Sequence, residues 1–205
     1  EEKIIPVSNI SDVNKTSCKI IALGDSLTAW YDLSPEKGYP AQLEKILQEN
    51  GYNCKVINAW ISGDTTKNLL DRLEFSLWSD SFTLALVVIW WNDGLRNIAI
   101  PEMKKNIVDI LQVLKSRNIP VVLWGMQMPA NAGLQVAEFK KTYSDLAEEY
   151  SLSFIPFFLE WVAMNPKLNL PDGIHPNSQG YKIIAWNVFK FLEDNKLIVD
   201  FKEIN

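Results

Sequence analysis

The sequence contains a single histidine, His175, so any imidazole chemistry must take place at that position. Asp172 lies three residues before His175, and Ser26 lies near the amino end of the chain, in a Gly-Asp-Ser-Leu-Thr stretch. A serine hydroxyl is a poor nucleophile until a base takes its proton and a third group orients that base. Ser26, Asp172 and His175 occur in an order found among Ser-His-Asp hydrolases and are the candidates for that chemistry.

Each of the three residues also has an ordinary structural interpretation. Ser26 fits a helix N-cap, because serine is among the residues preferred there. His175 fits a surface loop, and Asp172 fits a turn before Gly173. However, all three residues fall at one edge of the parallel sheet that the apolar pattern of the chain predicts, as the next paragraph describes. This shared position favours catalysis over three unrelated structural roles.

The elements that must position these side chains follow from hydrophobic periodicity. Five short apolar runs predict buried strands, at 18–23, 54–59, 84–90, 120–125 and from 153. Amphipathic stretches predict helices at 39–50, 64–77, from 101, 134–150 and 178–192. Strands that alternate with helices form a parallel sheet, because parallel neighbours need crossover connections. We therefore predict a three-layer α/β/α fold whose five-stranded parallel sheet has the flavodoxin-like order 2-1-3-4-5.

The length of 205 residues predicts one domain, over residues 18–205, preceded by a polar extension over residues 1–17. The extension lacks the apolar region of a signal peptide, as expected of a mature exported protein whose signal has been removed. This suggests a periplasmic or secreted location and leaves a cytoplasmic one open. We expect a monomer.

Composition excludes several classes of protein. The formal net charge of −5 argues against a nucleic-acid partner, which requires a basic face. The longest uninterrupted apolar run covers only residues 84–91, whereas a membrane-spanning helix needs about 20 residues. Integral membrane insertion is therefore not expected.

The two cysteines, Cys18 and Cys54, cannot form a metal site or a disulfide-dense scaffold by themselves. They begin the first and second predicted strands, which are neighbours in the predicted order. Similar depth in adjacent strands brings Cα atoms to about 5–6 Å, within disulfide reach if the side chains point the same way. The sequence is compatible both with a disulfide between Cys18 and Cys54 and with two free thiols.

Four stretches at the predicted strand ends together resemble the four sequence blocks of the SGNH (GDSL) hydrolases. They are GDSLT at 24–28, SGDT at 62–65, NDG at 92–94 and DGIHPN at 172–177. The likeness is greatest to the bacterial branch of multifunctional thioesterases, arylesterases and lysophospholipases, and it extends over about 19–193. A GDSL stretch alone is a weak signal, whereas four blocks in order at these separations are specific.

The resemblance implies a role for five residues. Ser26 would be the nucleophile, and His175 would be the general base and then the general acid. Asp172 would hold the imidazole in the correct tautomer. The oxyanion hole would combine the backbone N–H groups of Ser26 and Gly63 with the side-chain amide of Asn92. The implied partner is a small-molecule acyl ester or thioester, with no metal and no cofactor.

The chain departs from the family pattern at its tryptophans. The third block usually reads Gly-x-Asn-Asp, but here Trp90 and Trp91 precede Asn92. Further tryptophans stand where relatives tend to have glycine, a small residue or a carboxylate: Trp30, Trp60, Trp161 and Trp186. A tryptophan in place of glycine clashes where the backbone has a positive φ or is closely approached. These positions suggest an engineered chain or a divergent member with a reshaped pocket.

The substrate-pocket candidates are Trp90, Trp91, Met128 and Pro129. The preferred interpretation is a serine esterase or thioesterase that works through an acyl-Ser26 intermediate. Two alternatives remain: a carbohydrate or short-acyl deacetylase on the same fold, and a catalytically impaired protein that binds ligands in an aromatic pocket.

Several other residues are expected to be structural. Asp25 and Asp93 adjoin the candidate site and are interpreted as carboxylates that hold loops in place. Asp64 is expected in the first turn of the second helix. Trp78 and Trp124 are expected to be core aromatics.

Overall fold

The computed structural model describes residues 18–27, 33–78, 81–89, 91–125 and 135–202. The strands within this part of the chain are β1 (Cys18–Gly24), β2 (Cys54–Trp60), β3 (Leu84–Val88), β4 (Val121–Trp124) and β5 (Ser153–Ile155). The α-helices within it are α1 (Tyr39–Glu49), α2 (Thr66–Ser76), α3 (Trp91–Leu95), α4 (Ile100–Ser116), α5 (Gln135–Glu149) and α6 (Ser178–Asp194). Two 3₁₀ turns lie at Pro35–Lys37 and Val199–Phe201.

The strands form one parallel sheet of order β2-β1-β3-β4-β5, which confirms the predicted fold class and strand order. Every residue of β3 is buried, as its continuously apolar sequence predicts for a strand covered on both faces. Ile20, Leu23 and Leu86 are among the fully buried side chains of this core.

The strand order determines which face each helix covers. The chain moves outward in one direction from β1 to β2 and in the other direction from β2 through β3 to β5. Because parallel crossovers are right-handed, α1 and the helices α2, α4 and α5 lie on opposite faces. The packing agrees: α1 contacts α6, whereas α2 contacts α4, and α4 contacts α5.

The reversal of direction creates a topological switch point between β1 and β3. In open α/β sheets, ligands bind beside such a point, outside the carboxyl ends of the strands. Ser26 follows β1, and Asn92 lies in α3, just beyond β3. The fold thus places two of the candidate residues on either side of the switch point.

Cys18 and Cys54 form a disulfide, with their Cα atoms 4.4 Å apart. They are register partners at the amino ends of β1 and β2. Direct pairing explains why the Cα separation is shorter than the 5–6 Å expected for a typical disulfide. The structure therefore resolves the open alternative in favour of the disulfide.

Three details differ from the sequence-based expectations. Helix α2 begins at Thr66, after a capping box of Thr65 and Asn68, so Asp64 precedes the helix instead of lying in its first turn. The short helix α3 was not predicted, because five residues are too few to show a helical period. Trp124 is 1% exposed, as expected of a core residue, but Trp78 is 83% exposed and the core prediction for it is wrong.

Candidate active site

The structure brings together Ser26 and His175, which are 149 positions apart in the sequence. The Nε2 atom of His175 is 3.0 Å from the Oγ atom of Ser26. On the other side of the ring, Nδ1 of His175 is 2.7 Å from Oδ2 of Asp172. An imidazole held by a carboxylate at one nitrogen can accept a proton from a hydroxyl at the other.

The Asp172 carboxylate also organises the backbone around it. Its Oδ1 atom accepts hydrogen bonds from the N–H groups of Ile174, at 2.9 Å, and His175, at 3.0 Å. Partial burial opposes ionisation of Asp172, but these two N–H groups and the imidazole outweigh it, so the pKa of Asp172 lies below its usual value. Asp172 is therefore ionised at neutral pH, as a carboxylate that orients an imidazole must be.

The loop that carries His175 is fixed to the start of α6. Asn177 caps the helix, because its Oδ1 atom accepts hydrogen bonds from the N–H groups of Gln179 and Gly180. The N–H of Asn177 donates to the carbonyl oxygen of Leu168 at 2.9 Å. A Cβ atom at Gly180 would lie 2.3 Å from that same carbonyl oxygen, so only glycine permits this approach.

The other two predicted oxyanion residues come from the loops after β2 and β3. Gly63 is half-buried and has φ +82°, in the left-handed region that favours glycine. Asn92 is buried in α3. The Nδ2 atom of Asn92 donates to the carbonyl oxygen of Asp64 at 2.9 Å and to Oδ2 of Asp25 at 3.3 Å. The amide of Asn92 therefore lies between the loop that carries Gly63 and the loop that carries Ser26.

Asp25 and Asp93 hold loops, as predicted. Asp25 accepts the N–H of Leu27 at 3.0 Å and so closes the turn that contains Ser26. Asp93 is fully buried and accepts both the N–H of Thr66, at 2.8 Å, and its hydroxyl, at 2.6 Å. Burial raises the pKa of Asp93, and the bonds from Thr66 only partly offset that effect. This carboxylate joins α3 to the start of α2.

The sequence analysis did not identify Arg72, which supports the candidate site. Its Nε atom donates to Oδ2 of Asp64 at 2.6 Å, in a largely buried ion pair. Its Nη1 atom donates to the carbonyl oxygen of Ala59 at 2.9 Å, and its Nη2 atom to that of Gly24 at 3.3 Å. Arg72 lies three residues after Leu69, on the buried side of α2, and a cation on an apolar helix face is the signal that could have identified it.

The substrate-pocket candidates are only partly placed by the structure. Trp91 is buried beside Asn92, while Trp90, Met128 and Pro129 lie outside the described residues. Three exposed aliphatic residues were not predicted: Ile61, Leu95 and Ile174. They belong to the three segments that carry Gly63, Asn92 and His175, so each of these segments also carries an exposed apolar side chain.

The described residues contain neither a candidate metal centre nor a candidate membrane span. In this part of the chain, His, Cys, Asp and Glu side chains form no group of three that could hold a metal ion. No described helix combines the length and apolar character needed to cross a bilayer.

Comparison with known proteins identifies the family. Residues 22–183 match the GDSL-like lipase/acylhydrolase family. The chain is 36% identical over 177 residues to an arylesterase of Vibrio mimicus, covering 86% of this chain and 88% of the relative. It is 36% identical over 167 residues to thioesterase 1/protease 1/lysophospholipase L1 of Escherichia coli K12, covering 81% and 79%. The crystal structure of TesA superimposes with a TM-score of 0.81 at 33% identity, covering 86% of this chain and 98% of that one. The chain therefore belongs to the GDSL-like lipase/acylhydrolase family.

Proposed function

We propose that this protein is a serine hydrolase that cleaves acyl esters or thioesters through an acyl-Ser26 intermediate. The observation that carries the proposal is the continuous hydrogen-bonded series from Ser26 Oγ through His175 to Asp172, with distances of 3.0 and 2.7 Å. This alignment favours an enzyme over a ligand-binding protein with a misaligned triad. Family membership and the esterase and thioesterase relatives support the same conclusion.

The first step is attack on the acyl carbonyl. His175 Nε2 takes the proton of Ser26 as the oxygen forms a bond to the carbonyl carbon, and the carbonyl oxygen becomes negatively charged. The Asp172 carboxylate stabilises the imidazolium that results. His175 then donates its proton to the alkoxide or thiolate leaving group as the bond to that group breaks. The product that leaves is an alcohol or a thiol, and the acyl group stays on Ser26.

The negative oxygen requires hydrogen-bond donors already in position. We assign this role to the N–H groups of Ser26 and Gly63 and to the Nδ2 atom of Asn92. In the structure, Nδ2 of Asn92 already makes two hydrogen bonds, and the one to Asp25 is the longer at 3.3 Å. We propose that this weaker bond yields when the oxyanion forms, while the bond to Asp64 keeps the amide in place.

The second half of the reaction repeats the first with water as the nucleophile. His175 accepts a proton from the water as it attacks the acyl-Ser26 carbonyl, and it returns that proton to Ser26 Oγ as the acyl bond breaks. The side chain of His175 is only partly exposed, whereas that of Asp172 is more open to solvent. The products are a carboxylic acid and the regenerated enzyme.

The exposed residues Ile61, Leu95 and Ile174 support an acyl chain or another apolar substituent as part of the substrate. The disulfide between Cys18 and Cys54 supports an oxidising compartment as the site of action, because such bonds are rare where thioredoxin and glutathione keep thiols reduced. We propose a periplasmic or secreted location on this ground.

The nucleophile assignment is tested with Ser26→Ala, using a panel of p-nitrophenyl esters and acyl-CoA thioesters. We expect kcat to fall by about 10⁴-fold or more, with the circular dichroism spectrum unchanged. Ser144→Ala is the matched control, because Ser144 is an exposed serine on α5. A fluorophosphonate should label the wild type and Ser144→Ala but not Ser26→Ala. Near-wild-type turnover by Ser26→Ala would refute the proposal.

A further inference from the structure

Arg96 connects the segments that hold two of the proposed oxyanion donors, Gly63 and Asn92. Its backbone N–H donates to the carbonyl oxygen of Asn92 at 3.0 Å, so Arg96 lies one helical turn after Asn92. Its side-chain Nη2 donates to the carbonyl oxygen of Gly63 at 2.8 Å. The same residue thus contacts the segment of Asn92 through its main chain and the segment of Gly63 through its side chain.

The contact with Gly63 fixes one peptide plane. The carbonyl of Gly63 and the N–H of Asp64 belong to the same peptide group. That N–H donates to the carbonyl oxygen of Ile61 at 3.2 Å, while Arg96 holds the carbonyl. With this plane held at both its polar groups, the direction of the Gly63 N–H depends on the two backbone angles of Gly63 alone, of which φ is +82°.

Glycine alone would leave these angles free, because it has no Cβ atom to restrict them. A Cβ atom at Gly63 would lie 3.6 Å from Nη2 of Arg96, so the guanidinium packs directly against the glycine backbone. The turn that carries Arg96 is itself closed, because the left-handed residue Asn97 donates to Gly94 and Ile98 donates to Asp93. The guanidinium therefore extends from an anchored backbone.

We propose that Arg96 is a positioning residue for the oxyanion hole, which aligns the Gly63 N–H with the Asn92 amide. This inference rests on the proposed function, because it assumes that Gly63 and Asn92 stabilise an oxyanion. Arg96 is exposed and follows α3, so its side chain carries no core packing whose loss would explain a change in rate. Asn92 itself is held independently by its bond to the Asp64 carbonyl.

Arg96→Ala tests the proposal with p-nitrophenyl esters. We expect kcat to fall by roughly ten- to a hundredfold, less than the 10²–10³-fold loss on removal of an oxyanion donor, because the Gly63 N–H is misdirected and not deleted. KM and the midpoint of the pH–rate profile should not change, because Ser26 and His175 are untouched. The rate of fluorophosphonate labelling should fall in parallel with kcat, since the phosphoryl oxygen occupies the same hole.

Two further variants separate positioning from general structural effects. Arg96→Lys should recover part of the activity, because an ammonium can donate one hydrogen bond to the Gly63 carbonyl. Millimolar guanidinium chloride should also raise the activity of Arg96→Ala, because the vacated position is exposed. Arg117→Ala is the matched control: Arg117 likewise donates from Nη1 to a backbone carbonyl, that of Leu77, at 3.1 Å. Its activity should equal that of the wild type.

The outcomes are distinct. A kcat of Arg96→Ala within twofold of the wild type, a rise in KM alone, or an equal loss in Arg117→Ala would overturn the role of Arg96. If Ser26→Ala is inactive while Arg96→Ala is fully active, this inference fails and the proposed function stands. If Ser26→Ala remains active, the proposed function fails first.

Discussion

Strands β1 and β2 are linked to each other by different kinds of interaction at their amino ends and at their carboxyl ends. At the amino ends, the disulfide between Cys18 and Cys54 joins the strands covalently. At the carboxyl ends, Arg72 donates to the carbonyl oxygens of Gly24 and Ala59 and pairs with Asp64. The covalent link lies at the end of the sheet away from the candidate site, and the hydrogen-bonded link lies directly beneath it.

The difference separates stability from positioning. A disulfide stabilises mainly by restricting the unfolded chain, so it does not need to define the geometry of any polar group. A guanidinium with several bonds fixes directions, because each N–H must meet its acceptor. We therefore expect the amino end to govern stability alone, and the carboxyl end to govern stability and activity together.

Arg72→Met is expected to have the largest effect. Removing one partner of a buried ion pair leaves the Asp64 carboxylate without its cation, which lowers the free energy of unfolding by about 3–5 kcal/mol. The value of kcat/KM should fall as well, because the loops that carry Ser26 and Gly63 lose their common support. Urea denaturation and ester hydrolysis measure the two effects.

The control for Arg72 is Lys67→Met. Lys67 lies on the same helix in an exposed ion pair with Asp71, and such pairs contribute about 0–1 kcal/mol. A loss in Arg72→Met no greater than that in Lys67→Met would show that the carboxyl end does not depend on the buried pair.

The double variant Cys18→Ala/Cys54→Ala comes next. Loss of the disulfide should lower the free energy of unfolding by about 2–4 kcal/mol. At a temperature where the variant stays folded, kcat/KM should match that of the wild type, because the bond lies at the opposite end of the sheet from Ser26. Wild-type protein treated with a reductant under denaturing conditions and then refolded reduced provides an independent check. A tenfold loss of kcat/KM in the folded variant would contradict the separation of the two ends.

Acidification should remove activity while the amino end stays intact. His175 must be neutral to accept the proton of Ser26, because a protonated imidazole has no lone pair to receive it. The pKa of Asp172 is lowered, so this carboxylate stays ionised at pH 5 and its contribution is lost only below its usual value. We expect kcat/KM to fall on acidification with a limiting slope of about tenfold per pH unit, as one ionisation requires, because the chain has one histidine. A steeper slope, or no loss of rate before the protein unfolds, would be incompatible with this mechanism.

Trp161→Gly should give the smallest change, and in the opposite direction. Trp161 has φ +68° and is 77% exposed, so its side chain gains little burial for a left-handed backbone. Relief of that conformation should raise the free energy of unfolding by roughly 0.5–1 kcal/mol. Trp186→Gly is the contrasting control, because Trp186 lies inside α6, where glycine costs about 1 kcal/mol. Thermal melts should move in opposite directions; destabilisation by both changes would show that Trp161 is not strained.

The sequence predicted the fold well because the central strands β3 and β4 are continuous apolar runs. Residues 84–88 read as a buried strand in isolation, and the structure has them as β3. The helix α3 could not be predicted in the same way, because its five residues are too few to show a helical period, and its Asp93 bonds to Thr66, which lies 27 positions earlier. Local pattern identifies an element when burial is uniform along it, and it fails where an element is short and its polar residues bond to distant parts of the chain.

The residues of the candidate site likewise divide into those that the sequence identified and those that it did not. Ser26 and His175 were found because their residue types are chemically specific and their sequence blocks resemble those of a family. Arg72 and Arg96 were not assigned roles, since their acceptors are mostly backbone carbonyls, which leave no mark in a sequence. The exposure of Trp78 was missed for another reason: a tryptophan indicates a potential for burial, and only the packing shows whether a neighbour covers it.

The close approach of Gly180 to the carbonyl of Leu168 has an evolutionary consequence. Even a single methyl group there would push apart α6 and the loop before His175, because the obstructing atom belongs to the backbone and cannot rotate away. The displaced carbonyl is also the acceptor for Asn177, so the helix cap would be disturbed by the same shift. Almost no substitution of Gly180 should therefore be neutral, although this residue does not contact the substrate. Among descendants of this protein, residue 180 should stay glycine for as long as the reaction at Ser26 is under selection.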